Sequence, residues 1–206
     1  MLKTNIAVFV SGGGTNLQAL IDAKNSGIIS SGEIKVVISS NKNAYALTRA
    51  ENNGINTAVV SRKDSLSQED FENGIIKVLD EYKIDLIILA GFMSILSADF
   101  TSRYENRIIN VHPSLIPSFC GKGFYGLKVH EAALNYGVKV SGATVHFVNE
   151  IPDGGKIILQ KAVEIEENDT PETLQKRIME QAEWIILPKA AELISKKMME
   201  EKNAAI

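Results

Sequence analysis

Short apolar runs that alternate with segments of helical period set the tightest limit on what this chain can fold into. Residues 6–10, 34–38, 56–60 and 85–90 are strand-length runs. Apolar residues recur at helical spacing through 17–23, 44–53, 67–82 and 98–104, one such segment after each run. Strands that alternate with helices connect by right-handed crossovers. The expected fold is therefore α/β, a Rossmann-like, doubly wound and mostly parallel sheet. A further apolar run at 107–112 ends at Pro113, which has no N–H to continue a ladder. Residues 140–148 and 156–163 flank a Gly-rich turn and predict an antiparallel strand pair near the carboxyl terminus. Residues 171–202 predict a helix that starts with Pro171 in its first turn and is broken in two by Pro188. The charged run 196–202 is expected to be a solvated tail.

In 206 residues this pattern predicts one domain spanning 1–206, large enough to need neither disulfide nor metal for stability. The net charge of −3, with Lys and Arg scattered, argues against a nucleic-acid face. Cys120 is the only cysteine, so no intramolecular disulfide or all-thiolate metal site is possible and a reducing, cytoplasmic setting is expected. The five apolar residues at 6–10 are too few for a signal-peptide core or a membrane helix. No membrane partner is expected.

Ligands of open α/β sheets bind outside the carboxyl ends of the strands. Three stretches of this chain fall at that edge. The first is Ser11-Gly12-Gly13-Gly14-Thr15-Asn16, a glycine turn that leads straight into a helix; Thr15 and Asn16 are good N-cap types. N–H groups and the positive end of the helix dipole favour an anion there, most often phosphate. The turn lacks the third glycine of a dinucleotide fingerprint and the Gly-Lys-Ser/Thr of a P-loop. A turn with no ligand remains the alternative.

The second stretch, residues 91–96, is apolar for a loop. It predicts either packing under the next helix or a slot for a flat aromatic ligand. The third is Asn110-Val111-His112. Strand alternation puts Asn110 and His112 on one side, an amide donor beside a ring that titrates near neutrality. Alone, the pair could simply cap a strand end. Asp153, on the Gly-rich turn 149–155, adds a carboxylate that could orient His112 and favour its protonated form. Amide, imidazole and carboxylate suit a carbonyl that becomes an oxyanion while a proton moves. Cys120 has no evident activating partner, so the attacking group is expected to belong to the substrate. His146 shares a strand face with Thr144 and reads equally as core or site.

These residues also carry a resemblance. Ser11 through Leu17, Ala90-Gly91-Phe92-Met93, Asn110 through Leu115, and Gly142 through Val148 followed by Asp153-Gly154-Gly155 occur in the order seen in phosphoribosylglycinamide formyltransferase, over essentially the whole chain. The resemblance implies formyl transfer from 10-formyltetrahydrofolate to the amine of glycinamide ribonucleotide, in purine synthesis, without a metal. It implies that Asn110 stabilises the oxyanion, that His112 donates the proton and that Asp153 raises the pKa of His112. Gly14, Thr15 and Asn16 would hold the phosphate, with Glu183 also on the ribonucleotide. Gln68, Met93, Ser94, Ile95 and Leu96, together with Asn110, Asn149, Glu150 and Asp153, would line the folate site. On this reading the amino-terminal half binds ribonucleotide and the carboxyl-terminal half binds folate and carries the catalytic residues, in a monomer or homodimer. Gln68 and Ser94 depart from the pattern, standing where Arg is common, which leaves the folate tail without its usual cations. His130 falls where the family has a histidine after the loop.

The residues Asn110 through Leu115 and the later Asp153 also resemble those of methionyl-tRNA formyltransferase, which normally carries an extra tRNA domain, and of formyltetrahydrofolate deformylase. A formyltetrahydrofolate deformylase would hydrolyse the same donor. A non-catalytic folate- or nucleotide-binding module would keep the slot and the turn without needing Asn110, His112 and Asp153 together.

Overall fold

A computed structural model describes residues 2–204. Seven strands form one sheet in the order β3-β2-β1-β4-β5-β6-β7. The strands are β1 (Thr4–Val10), β2 (Gly32–Ser39), β3 (Asn56–Val59), β4 (Leu86–Leu89), β5 (Ile108–His112), β6 (Val140–Phe147) and β7 (Ile157–Glu164). The helices are α1 (Thr15–Asn25), α2 (Tyr45–Asn52), α3 (Gln68–Glu81), α4 (Ala98–Arg103), α5 (Leu127–Tyr136), α6 (Pro171–Ile178) and α7 (Trp184–Ala204). β1 to β5 pair in parallel, as the alternating pattern requires. β6 runs antiparallel to β7 as expected and also antiparallel to β5. That second pairing matters for the site, because it sets Asn110 opposite His146 and His112 opposite Thr144.

Strand alternation divides the core. Ile6, Val8 and Val10 of β1 pack with α1, α2, α6 and α7 on one face. Ala7 and Phe9 pack with Phe71, Ile75 and Leu79 of α3 and Phe100 of α4 on the other. Each such fully buried aliphatic or aromatic side chain contributes about 1.5–3 kcal/mol relative to exposure.

Three expectations need correction. Gly14, not Thr15 or Asn16, is the N-cap of α1; it takes a left-handed conformation (φ 73°) and supplies no side-chain cap. A Cβ there would also lie 2.6 Å from the Ala46 Cβ, so the close packing of α2 on the turn demands glycine. Pro188 does not divide the last helix but lies inside continuous α7. The interruption comes earlier, at a π-helical turn, Met179–Glu183, whose extra residue per turn absorbs the change of register before the proline. The charged run is not a free tail either. It continues α7, and the Lys202 Nζ reaches the Asp85 carboxylate at 2.5 Å, beside the start of β4.

Candidate active site

β5 ends at the edge where the sequence placed it, and Asn110 and His112 share the face turned away from Ile109 and Val111. His112 is nearly enclosed, at 5% exposure. Its two ring nitrogens meet two acceptors: Nε2 lies 2.9 Å from the Phe119 carbonyl, and Nδ1 lies 3.5 Å from Asp153 Oδ2. Both contacts favour an imidazolium, since each nitrogen then has a proton to offer. Burial works the other way and prevails, holding His112 below its ordinary value, with Asp153 and the Phe119 carbonyl pushing it up. The expected upward push from Asp153 is therefore present but does not set the net direction.

Asp153 sits in a left-handed conformation (φ 56°) on the loop between β6 and β7. This is a position glycine takes without strain, and a carboxylate there marks a backbone held for its side chain. The Gly121 N–H donates to Asp153 Oδ2 at 2.8 Å. Burial alone would raise the Asp153 pKa; His146, His112 and the Gly121 N–H outweigh it and hold the carboxyl below its usual range. Gly155 lets the loop close: a Cβ there would run into the Phe147 carbonyl.

His146 joins this group, a residue that sequence reasoning left open. It is 1% exposed; Nδ1 lies 2.8 Å from the Phe147 carbonyl, and Nε2 lies 3.3 Å from Asn110 Nδ2 and 3.6 Å from Asp153 Oδ1. The ring is oriented by Nδ1 against the Phe147 carbonyl, and Nε2 then faces both the Asn110 amide and the Asp153 carboxylate, so His146 sets the two groups beside each other.

The loop after β5 is built to deliver backbone groups. Thr144 Oγ1 donates to the Ser114 carbonyl at 2.7 Å and accepts the Ile116 N–H at 3.1 Å. Phe119 holds a left-handed conformation (φ 49°) and presents its carbonyl to His112. Backbone groups leave no residue-type signature, which is why Phe119 and Gly121 could not be found from the sequence. Cys120 Sγ faces the Pro117 carbonyl at 3.3 Å, and burial and Asp153 push its thiol pKa up, the wrong direction for a nucleophile. His130 in α5 is fully buried, and neither ring nitrogen has a protein partner. Burial and the nearby charge of His112 push its pKa down to about 4.

The glycine turn lies two strands away, after β1. With Gly14 as a cap that has no side chain to accept a bond, the N–H groups of the first turn of α1 are left for an outside acceptor. Asn16 Nδ2 donates to Glu183 Oε2 at 2.7 Å, so the π-helical turn brings the carboxylate to the glycine turn. Glu183 is buried, which raises its pKa, partly opposed by the Asn16 bond. Asn16 Oδ1 is buried without a partner. Thr15 Oγ1 faces Met179 Sδ at 3.9 Å.

Between these two groups, the loop after β4 is fastened to the turn by the Met93 N–H, which donates to Ser11 Oγ at 2.9 Å. Met93 and Ile95 are 60% and 80% exposed, whereas Leu96 turns inward against the α3 face of the core. Ser94 is half-buried. Gln68 is committed within the protein: its Nε2 donates to Glu72 Oε1 at 2.7 Å and to the Ile95 carbonyl at 3.0 Å. Asn149 Oδ1 accepts the Ile151 N–H and shapes the Asp153 loop, while Glu150 is exposed. Among the described residues, no cluster of three or more His, Cys, Asp or Glu is placed to hold a metal, and no helix is long and apolar enough to cross a membrane.

Residues 4–191 match the family model described as "Formyl transferase". The chain is 43% identical over 183 residues to the phosphoribosylglycinamide formyltransferase of Haemophilus influenzae, covering 89% of this chain and 83% of the relative. It is 44% identical over 193 residues to the human trifunctional purine biosynthetic protein adenosine-3, covering 94% of this chain but only 18% of that protein's length. Trifunctional relatives from chicken and cattle share that 18% span. Among solved structures, glycinamide ribonucleotide transformylase 1 from Symbiobacterium toebii superposes with a TM-score of 0.88 at 40% identity, over 95% of this chain and 89% of the other.

Proposed function

The chain belongs to the formyl transferase family, and on that premise we propose that it transfers a formyl group from 10-formyltetrahydrofolate to the amine of phosphoribosylglycinamide. The observation that carries this reading is one sheet edge that bears both a glycine turn at a helix start without a side-chain cap and a largely buried Asn110–His112–Asp153–His146 group, with an apolar loop between them. The first suits a phosphorylated acceptor and the second a formyl carbonyl under attack.

In this mechanism the amino-terminal half holds the ribonucleotide. The N–H groups after Gly14, at Thr15 and Asn16, take the phosphate, and Glu183 contacts the remainder. The carboxyl-terminal half joins the loop 91–96 in holding the folate and places its formyl carbon by β5. The substrate amine attacks that carbon directly. The Asn110 amide donates to the oxyanion, and the proton that the amine gives up on attack passes by way of His112 to the folate nitrogen as its bond to the formyl carbon breaks. Asp153 supports the imidazolium against burial. His146 keeps the Asn110 amide facing the carbonyl. No step requires a metal. The lone cysteine fits a reducing compartment, where we expect the protein to act.

Folate absorbance followed with and without the ribonucleotide tests the reading. Turnover that depends on the ribonucleotide is expected. Turnover without it would point to a hydrolase, and folate binding with no turnover to a binding module.

A further inference from the structure

Gln68 and Ser94 leave open which cation meets an anionic tail on the slot's ligand, and the hydrogen bonds of the rim answer it with a third residue. Arg62 follows β3 at the carboxyl-end edge of the sheet and is exposed. Its Nε donates to Gln68 Oε1 at 3.1 Å, and its Nη1 approaches the Ser65 carbonyl at 3.5 Å. Gln68 in turn donates to the carbonyl of Ile95, in the slot loop, and to Glu72, whose carboxylate also accepts from the Ser97 N–H and Oγ. The amide of Gln68 thus has its oxygen and both protons engaged within the protein. It is a strut from the arginine to the slot, with no donor left for a ligand.

Arg62 is in the opposite state. Among the described residues no carboxylate lies within 4.0 Å of its guanidinium, and its Nη2 makes no hydrogen bond. Running outward from β5, the edge offers polar donors at Asn110 and His112, exposed apolar side chains at Met93 and Ile95, and then a fixed, unpaired guanidinium. That order matches a ligand with a reactive polar end, a flat apolar body and a carboxylate at its far end. A planar guanidinium bonded through Nε and one Nη1 proton still has the Nη2 protons and the second Nη1 proton to pair with a carboxylate.

We infer that Arg62 binds a carboxylate of the glutamate tail of the formyl donor, with Gln68 as its positioning residue; this rests on the proposed reaction. The surrounding rim is acidic, with Asp64, Glu69, Asp70 and Glu72 close in sequence and only Lys63 beside Arg62. One guanidinium contact in such a setting recognises the first glutamate and gives little to further ones.

The test compares two donors, 10-formyltetrahydrofolate and 10-formyltetrahydropteroate, which lacks the glutamate. In the wild type, ribonucleotide-dependent turnover of either donor tests the proposed reaction by itself. Arg62→Ala and Arg62→Gln are then expected to lower kcat/KM about 5-fold with the glutamyl donor, through KM, and by less than about 1.5-fold with the pteroate. Arg62→Lys should recover part of the loss, and 0.5 M salt should shrink the wild-type preference between donors. Equal losses with both donors, or no loss with either, would overturn the assignment of Arg62 while leaving the formyl transfer reading intact. Gln68→Ala is expected to give a smaller, equally tail-dependent loss. A loss from it that is the same with both donors would remove its positioning role.

Discussion

The two ends of this sheet edge are made of different material. At the parallel end, after β1, the proposed anion site is mostly backbone: a left-handed Gly14, the first turn of α1, and one buried carboxylate brought in by a π-helical turn. At the antiparallel end, beside β5 and β6, the site is side chain: an amide, two imidazoles and a carboxylate whose positions depend on the pairing of Asn110 with His146 and on a loop closed at Gly155. Backbone donors suit a static charge such as a phosphate, which needs only complementarity. A carbonyl that gains and loses charge needs groups whose protons can move, and only side chains provide them.

This contrast is sharpened most by substitutions at the antiparallel end. Asn110→Ala and Asp153→Asn are expected to lower kcat by about 10²–10³-fold, with the thermal midpoint within a few degrees of wild type. Near-normal turnover in either would break the division between the two ends. The pH profile gives the same distinction in another form. If His112 acts as the acid, activity falls as pH rises through its pKa, which burial depresses and Asp153 raises. In Asp153→Asn the upward push is gone, so this limb of kcat against pH should move to lower pH; an unmoved limb would detach Asp153 from His112.

At the parallel end the effects should fall on binding. Gly14→Ala adds a Cβ 2.6 Å from that of Ala46 at a φ of 73°. It is expected to raise KM for the ribonucleotide about 10-fold or more and to cost about 1–3 kcal/mol of stability, read by urea titration. Glu183→Gln keeps the shape and the Asn16 contact while removing the ionisable proton. A rise of several-fold in the same KM, with kcat held within about 2-fold, is expected from steady-state kinetics. A loss confined to kcat in either variant would show that the turn serves chemistry after all.

His130 lies between the two descriptions, buried near His112 but with no hydrogen-bond partner for either ring nitrogen, and its effect falls on stability rather than on turnover. Its folded pKa of about 4 lies below the ordinary 6.5, so the unfolded chain binds a proton that the native state refuses. Stability should therefore fall as pH is lowered from about 6.5 toward about 4, by up to about 3 kcal/mol. His130→Leu should flatten that window in denaturation curves recorded at pH 5 and pH 7. An unchanged slope would place the acid sensitivity elsewhere.

Much of this was legible in residue patterns. The alternation of runs gave the parallel sheet, and strand period with a Gly-rich turn picked out Asn110, His112 and Asp153, which the fold brings together; the glycine turn marked the proposed anion site. What escaped has common causes. Thr15 and Asn16 have N-cap chemistry, but the approach of Ala46 made the Gly14 backbone the cap. Pro188 carries a helix-breaking signal that the π-helical turn before it defuses. Gln68 donates to the Ile95 carbonyl, a contact 27 residues away that no local pattern encodes.

The sequence by itself determined which stretches become strands, helices and turns, because period, capping and glycine act over a few neighbouring residues. It also determined the chemical types present at each strand end. Only the tertiary structure decided which of them meet. Asn110 and His146 are 36 residues apart, and Asn16 and Glu183 are 167 apart. Their contacts depend on register and helix packing that no local pattern encodes. The same holds for charge: Asp153 and His112 have familiar pKa values as isolated residues, and it is burial among partners that moves them.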